Sequence, residues 1–257
     1  MPRLSAGLAG LRHALSRRFL LKIKRASHRA NARLILPQAR RVLVVAPHMD
    51  DEVIACGGTL LLLIAQGAEV HVAFVSDSSA GLADPALAAD LISTRRAEAA
   101  RVSGLMGFSG TSELGFPDSR LYQQEDAIAG RLSEEIRRVD PDLLLCPFPS
   151  DAHSDHMSCA ASTARAALDL RWSGSVLAYE VWTPLWPNVA VDITAVAERK
   201  VEAINLYASQ MADRDYATAA LGLNRFRGLP HAVACAEAFY LSDVKDFARL
   251  AALLDVI

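Results

Sequence analysis

RVLVVAPHMDDEVIACGGTL, residues 41–60, joins a short apolar run to a cluster of acids and then to a second apolar run. Residues 41–48 are rich in β-branched side chains and contain Pro47 near their end, which is typical of a buried strand. Residues 51–66 have the pattern of a helix, and Gly67 supplies its C-terminal stop. The stretch therefore predicts a strand, a polar turn and a helix in immediate succession.

The same alternation continues along the chain. We predict further strands at residues 69–76, 142–148, 175–182 and 189–193, further helices at residues 91–106, 125–139, 158–170 and 195–209, and a tail of short elements. Apolar strands that alternate with helices predict an α/β fold, with a mainly parallel sheet covered by helices on both faces. We expect residues 41–257 to form one domain. In such sheets, ligands bind beyond the carboxyl ends of the strands.

Composition excludes several classes of protein. The chain has 257 residues, of which 52% are apolar and 22% charged, so collagen-like, low-complexity and wholly disordered chains are excluded. The weakly polar run at residues 53–65 is too short to span a bilayer. The four cysteines form no C-x-x-C pair, which argues against a disulfide framework or a thiolate zinc site. We expect them to be buried, reduced residues.

A basic N-terminal segment, residues 1–40, stands apart from the rest. Residues 1–41 hold 11 Lys or Arg and no acid, whereas the other residues carry 16 basic against 29 acidic side chains. The acidic body disfavours nucleic acid as the main partner. Apolar residues recur in the segment at helical spacing, so residues 1–36 form either a helix on an anionic membrane surface or one packed on the acidic body or a neighbouring subunit. No secretory signal is evident, and we expect a cytoplasmic protein.

Polar side chains able to carry chemistry cluster where two predicted strands end. They are His48, Asp50 and Asp51 after the first strand, and His153, Asp155 and His156 after the strand at residues 142–148. Adjacent acids beside a histidine repel one another unless a cation offsets their charge. His48, Asp51 and His156 supply two imidazoles and one carboxylate, a ligand set suited to catalytic Zn²⁺. Asp50, beside a ligand, is the candidate general base.

The second cluster offers two further roles. His153 lies three residues before His156, so both rings face the same side of a helical turn. We expect His153 to stabilise an oxyanion or to protonate a leaving amine, and Asp155 to orient an imidazole through a hydrogen bond. The structural alternative is helix capping, by Asp50 or Asp51 in one cluster and by Asp155 in the other.

The first stretch and the later HSDH (153–156) resemble the PIG-L/LmbE family of zinc-dependent de-N-acetylases. Further matches are TRRAEA (94–99), LGFPDS (114–119), VDIT (191–194), residues 200–210 ending in YASQ, and AEAF (236–239). The resemblance spans about residues 41–240. It implies a Rossmann-like α/β fold. It also implies an enzyme that hydrolyses the acetamide of an N-acetylglucosamine-type sugar or glycoconjugate with Zn²⁺, or with another divalent ion such as Fe²⁺. The ligands, base and oxyanion residue of the family match the positions given above.

The resemblance also implies that Arg95 and Asp118 hold sugar hydroxyls, against the structural alternatives of an exposed helix arginine and a turn-forming aspartate. We expect Glu98, and by the same reasoning Glu237, to form ion pairs. The chain departs from the family in lacking the tyrosine that some members carry shortly before His153.

Two other functions stay open. The same site is compatible with an amidase that acts on another N-acyl conjugate. A carbohydrate-binding relative without catalysis is the alternative outside the enzymes, and the presence of Asp50 argues against it.

Overall fold

The computed structural model describes residues 32–79, 82, 84–211 and 214–254. The helix predicted within residues 1–36 lies almost wholly outside the described residues. Among the described residues, no helix is long and apolar enough to cross a membrane.

One eight-stranded sheet forms the centre of the fold. Its strands are β1 (Arg33–Leu34), β2 (Arg41–Ala46), β3 (Glu69–Ser76), β4 (Gly110–Phe116), β5 (Leu143–Pro147), β6 (Ser175–Tyr179), β7 (Val189–Asp192) and β8 (Ala236–Asp243). Their order is β1-β7-β8-β6-β5-β2-β3-β4, and only β8, among the described strands, runs antiparallel to its neighbours. The predicted mainly parallel sheet is therefore confirmed. Because β1 pairs with β7, the end of the basic segment belongs to the sheet.

The described helices of four or more residues pack around this sheet. They are α1 (Asp51–Ala65), α2 (Pro85–Met106), α3 (Glu125–Val139), α4 (Ser154–Asp169), α5 (Ala197–Asn205), α6 (Ala208–Met211), α7 (Tyr216–Gly228) and α8 (Val244–Leu254). The residues of β2 alternate between two apolar cores: Val42 and Val44 face one, and Leu43 and Val45 face the other. Helices cover both faces, as expected for parallel strands that are buried on both sides.

Several predicted boundaries differ from the structure. The strand predicted at residues 175–182 ends at Tyr179. Helix α2 begins six residues earlier than predicted, where Asp84 caps the amides of Ala86 and Leu87. Helix α4 begins at Ser154 rather than Ser158, because its first turn is polar and gives no apolar period. The helix predicted at 195–209 is a 3₁₀ turn (Thr194–Val196) followed by two separate helices. The predicted tail of short elements contains a 13-residue helix and an eight-residue strand.

A buried ion pair helps to fix α1 against strand β8. Lys200 Nζ lies 2.7 Å from Glu237 Oε1, and both side chains are buried. The same carboxylate accepts hydrogen bonds from the amides of Gly58 and Thr59 in α1. A Cβ at Gly58 would lie 2.7 Å from the side chain of Ile193, so only glycine allows this close approach. The ion pair expected for Glu237 is confirmed.

Glu98 has a different environment from the one expected. Its carboxylate accepts hydrogen bonds from the amide and the hydroxyl of Ser209, at 2.9 and 2.6 Å, instead of pairing with a cation. These bonds join α2 to the segment at residues 207–211, which follows α5. Glu98 thus holds in place the region that carries Gln210.

We predict that Lys200→Met destabilises the protein by about 3–5 kcal/mol, because it leaves the Glu237 charge buried without its cation. Denaturant unfolding measures the effect. The double variant Lys200→Met/Glu237→Gln is expected to lose less than the sum of its single variants. Arg249→Met, which breaks an exposed pair with Asp246, is the control and costs less than about 1 kcal/mol. Equal losses in Lys200→Met and the control would contradict this account.

Candidate metal-dependent active site

The strand order brings the two polar clusters together. β2 and β5 are hydrogen-bonded neighbours in parallel, so their carboxyl ends meet at one edge of the sheet. β2 also lies at the point where the order reverses, with β3 on its other side. A crevice forms outside the strand ends at such a position. His48 follows β2 and His156 follows β5, and their ring centroids are 5.4 Å apart.

The carboxylate of Asp51 is the centre of this cluster. Its Oδ2 lies 3.1 Å from His48 Nδ1 and 3.3 Å from His156 Nε2. The same oxygen accepts a hydrogen bond from the backbone amide of His48 at 2.9 Å. Asp51 and His156 are buried, and His48 is nearly so. Two imidazoles therefore converge on one carboxylate oxygen in a place that excludes most water.

The three side chains fit a divalent cation. Ligand atoms from His48, Asp51 and His156 lie within 4.8 Å of one another. Both ring nitrogens of the buried His156 lack a hydrogen bond of good geometry among the described residues, which is costly unless another partner takes them. Two nitrogen donors and one carboxylate oxygen suit Zn²⁺ and also other divalent transition metals. Ligand atoms from a second group, His48, His153 and Asp155, also lie within 4.8 Å of one another.

A second carboxylate lies close to a ring nitrogen of each of the two imidazoles. Asp155 Oδ2 lies 3.3 Å from His48 Nε2, and Asp151 Oδ1 lies 3.5 Å from His156 Nδ1. In metal sites, such carboxylates fix the tautomer and the orientation of ligating imidazoles. The predicted contact between Asp155 and an imidazole is present. The sequence analysis gave Asp151 no role, although an acid shortly before the HSDH motif was a usable signal.

Asp155 does not cap its own helix. Its carboxylate accepts hydrogen bonds from the amides of Ser119 and Leu121, which belong to the loop after β4. The cap of α4 is His153, whose Nδ1 accepts the Asp155 amide at 3.2 Å. A neutral His153 with Nδ1 as acceptor carries its proton on Nε2. That ring nitrogen is therefore a hydrogen-bond donor.

Asp50 is held in an unusual backbone conformation. Its φ is 142° and its ψ is −28°, a combination that L-residues avoid and that a surrounding structure must enforce. The Asp50 amide donates to Glu52 Oε2 at 3.1 Å, and Glu52 Oε1 accepts the Tyr207 hydroxyl at 2.7 Å. The Asp50 side chain makes no capping bond to α1. Asp50 and Asp51, adjacent in sequence, both line the same cavity as a result.

Electrostatics in the cluster follow from burial and from Asp51. Burial raises the pKa of the Asp50 carboxyl well above its ordinary value, and the neighbouring Asp51 charge raises it further. Burial opposes ionisation of Asp51 as well, but His156 and His48 hold the pKa of Asp51 well below its ordinary value. Burial lowers the pKa of His156, yet Asp51 outweighs it and raises that pKa to about 9. The Asp51 charge thus attracts positive charge, either as protons on the imidazoles or as a metal ion.

Arg95 and Asp118 both line the cavity beside the cluster. Arg95 is 7% exposed, so the alternative of an exposed helix arginine is wrong. It donates to the Ser78 carbonyl and to Gln210 Oε1, and its Nε has no hydrogen-bond partner among the described residues. Asp118 is buried in a turn, with Oδ1 3.4 Å from His48 Nε2. The Arg95 guanidinium and the Asp118 carboxylate therefore line the cavity next to the imidazoles.

The cavity has a volume of about 510 Å³ and includes residues that sequence reasoning missed. These are Ile54, Ser119, Ala152, Val181, Trp182, Gln210, Arg214 and Tyr216. Most lie far along the chain from the two motifs and have no pattern of their own, although Gln210 ends the YASQ match. Tyr216, at the start of α7, brings a tyrosine to the cavity from a different element than the segment before His153.

The fold and this cluster define an α/β protein with a His-His-Asp site at the carboxyl edge of its sheet. The family model described as GlcNAc-PI de-N-acetylase (PIG-L) matches residues 43–167. Over these residues the chain is similar to the PIG-L family, and the resemblance drawn from the motifs is confirmed.

Individual relatives extend over more of the chain. Diacetylchitobiose deacetylase of Thermococcus kodakarensis is 28% identical over 195 residues, which are 68% of this chain and 71% of that protein. The 2'-N-acetylparomamine deacetylase of Streptomyces fradiae is 29% identical over 209 residues, 67% of this chain and 74% of that protein. The solved structure of N,N'-diacetylchitobiose deacetylase from Pyrococcus horikoshii, in complex with an inhibitor, is 27% identical and superposes with a TM-score of 0.70. That match covers 80% of this chain and 85% of the other.

We predict that Asp151→Asn weakens metal binding by about 10–100-fold, because His156 loses the carboxylate behind its Nδ1. Competition with a chromophoric chelator measures the affinity. Asp169→Asn, which changes an exposed carboxylate at the end of α4, the helix that carries His156, serves as the control and retains wild-type affinity. Equal affinities in the two variants, with both folded by circular dichroism, would rule out this role for Asp151.

Proposed function

We propose that this protein is a metal-dependent hydrolase that removes acetyl from an N-acetylglucosamine-type sugar or glycoconjugate. The observation that carries the proposal is the convergence of His48, Asp51 and His156 beside Asp50, in a cavity that also holds Arg95. The match of residues 43–167 to a de-N-acetylase family model and the names of the matched deacetylases support the acetylated sugar as substrate class.

His48, Asp51 and His156 would hold the metal ion, which we propose to be Zn²⁺, with Fe²⁺ as the alternative that the same donors allow. When bound, the ion supplies Lewis acidity, which acidifies water and polarises a carbonyl group. Asp155 and Asp151 keep the two imidazoles in the tautomer and orientation that ligation needs.

Asp50 is the proposed general base. It lies next to a ligand, lines the cavity and is not used as a helix cap, so its carboxylate is available to take the proton of the attacking water. Water oxygen then bonds to the amide carbon, and the carbonyl oxygen becomes negatively charged. His153 lines the same cavity, and we propose that its Nε2–H donates to that oxygen.

Collapse of the tetrahedral species breaks the bond between carbon and nitrogen. The proton held by Asp50 passes to the leaving nitrogen, so the products are acetate and the free amine. Arg95 and Asp118 offer donors and acceptors to the sugar hydroxyls on the wall beside the imidazoles. This assigns each residue of the two motifs one task in a single hydrolysis.

Two alternatives give different results in simple assays. An amidase for another N-acyl conjugate would release amine from N-acyl amides and leave N-acetyl sugars intact. A binding protein without catalysis would bind the sugar and release no amine. The position of the basic segment, on a membrane surface, on the body or on a second subunit, stays a prediction, as do the cytoplasmic location and any oligomer.

We predict that Asp50→Asn lowers the rate of acetate release by about 10²–10⁴-fold, the usual contribution of a positioned base. Its metal content, measured by mass spectrometry after purification without chelators, is expected to equal that of the wild type, because Asp50 is not a ligand. His156→Ala is expected to lose both metal and activity. Asp126→Asn, an exposed carboxylate on α3, is the control and keeps both. Equal acetate release by wild type and Asp50→Asn would refute the role of Asp50.

A further inference from the structure

A second cavity adjoins the active-site cavity. It has a volume of about 210 Å³ and lies between α1, α7 and the segment that follows β6. The two cavities share five lining residues, Ile54, Val181, Trp182, Arg214 and Tyr216. A molecule bound at the metal cluster therefore meets the second cavity across a common wall.

The two cavities differ in chemistry. The first is lined by imidazoles, carboxylates and the Arg95 guanidinium. Beyond the shared wall, the second is lined mainly by small or apolar side chains, namely Ala55, Ala219, Ala220, Leu223 and Ala238. The combined space thus runs from a polar end at the metal cluster to an apolar end under α7.

The remaining polar residues of the second cavity already have partners within the protein. Glu180 pairs with Arg227, Asp215 accepts the Thr218 amide, and Asn224 Oδ1 accepts a bond from Lys200. Glu180 also accepts the amide of Leu185, so both of its carboxylate oxygens are used. Arg227 neutralises the charge of Glu180, and Asp215 and Asn224 each accept a hydrogen bond within the protein, so the cavity presents a ligand chiefly with apolar surface.

The rim between the cavities is ordered by aromatic contacts. The rings of Trp182 and Tyr216 meet edge to face with centroids 6.0 Å apart. The guanidinium of Arg214 lies 5.1 Å from the centroid of the Trp182 ring. A cation over an indole face stabilises the position of both side chains. These contacts hold in place the side chains that line both cavities.

An apolar cavity of this size is suited to an apolar guest. An engineered apolar cavity of about 150 Å³ stays free of water and binds benzene. The present cavity is somewhat larger, so it fits a phenyl group or a short alkyl chain. An acetyl group has only one methyl and does not need such a volume. The guest must then be another part of the substrate.

We propose that the substrate is an N-acetylated sugar with an apolar aglycone, and that the cavity under α7 binds this aglycone. The inference rests on the proposed function, because it takes the metal cluster as the place where the acetamide is cleaved. It makes the enzyme selective for glycosides with an aryl or alkyl group over the free sugar.

Kinetics on paired substrates test the proposal. The methyl and hexyl glycosides of N-acetylglucosamine are compared by release of free amine, together with the methyl glycoside of N-hexanoylglucosamine. The hexyl glycoside is expected to have a KM at least tenfold below that of the methyl glycoside, with kcat within twofold. A ratio of two or less, or an equal gain for the N-hexanoyl compound, would overturn the assignment.

Filling the cavity supplies the matched variants. Ala219→Trp adds bulk within the cavity and is expected to abolish the tenfold ratio between the two glycosides. Gly222→Trp adds the same bulk on the same helix at a position where a Cβ meets nothing within 4 Å, and it keeps the ratio. If Ala219→Trp does not fold, Ala219→Leu takes its place. A ratio that survives in the folded Ala219 variant would contradict the proposal.

Binding without turnover separates this inference from the proposed function. If no compound is hydrolysed, the proposed function fails, and calorimetry with the hexyl and methyl glycosides of glucosamine then tests the cavity alone. Tighter binding of the hexyl compound by wild type and Gly222→Trp, but not by Ala219→Trp, supports the cavity. Equal binding of the two compounds by the wild type overturns it.

Discussion

The carboxylate of Asp51, shared by two imidazoles in a buried place, is the contact on which the site depends. Its Oδ2 lies within 3.3 Å of both His48 and His156. A buried carboxylate is costly unless it is paired, and the neighbouring Asp50 adds further negative charge. The local requirement is a positive charge at the centre of the cluster. The unpaired negative charge that would destabilise the folded state also favours binding of a divalent cation.

The surrounding structure supplies what this cluster needs at several distances. Asp155 and Asp151 contact the imidazoles of His48 and His156 and also accept hydrogen bonds from backbone amides of distant loops. The orientation of the two imidazoles therefore depends on the loop after β4 and the segment after β6. Glu52 binds the Asp50 amide in its strained turn. Each of these buried carboxylates accepts a hydrogen bond from a residue far along the chain. The two imidazoles and the turn at Asp50 are therefore fixed by bonds to distant segments.

Helix α7 links stability to the character of the cavities. Its Asn224 joins the buried pair of Lys200 and Glu237, which in turn fixes the amides of α1. Its Arg227 neutralises Glu180 at the wall of the apolar cavity. Because the helix pairs these polar groups within the protein, the surface left beside the polar site is apolar. The division between a charged end and an apolar end thus follows from how the buried charges are paired.

Much of the fold was accessible from local patterns. The β-branched run at residues 41–46 and the alternation of strands and helices predicted a mainly parallel sheet, because such strands must be apolar on both faces. The positions of His48 and His156 just after two of these strands predicted one joint site, because parallel strands end at one edge. Asp155 beside an imidazole was also foreseen. These features depend on short-range sequence and on general rules of chain geometry.

Other features depend on contacts between residues far apart in the chain. Nothing near Asp151 indicates that Trp182 and His156 share its carboxylate, and nothing near Tyr216 indicates that it lines the same cavity as His48. The first turn of α4 was missed because its side chains serve the site rather than an apolar core. The strained φ of Asp50 and the apolar cavity under α7 have no signature in any single segment. They arise when packing brings separate elements together, since burial and charge pairing are properties of the assembled chain.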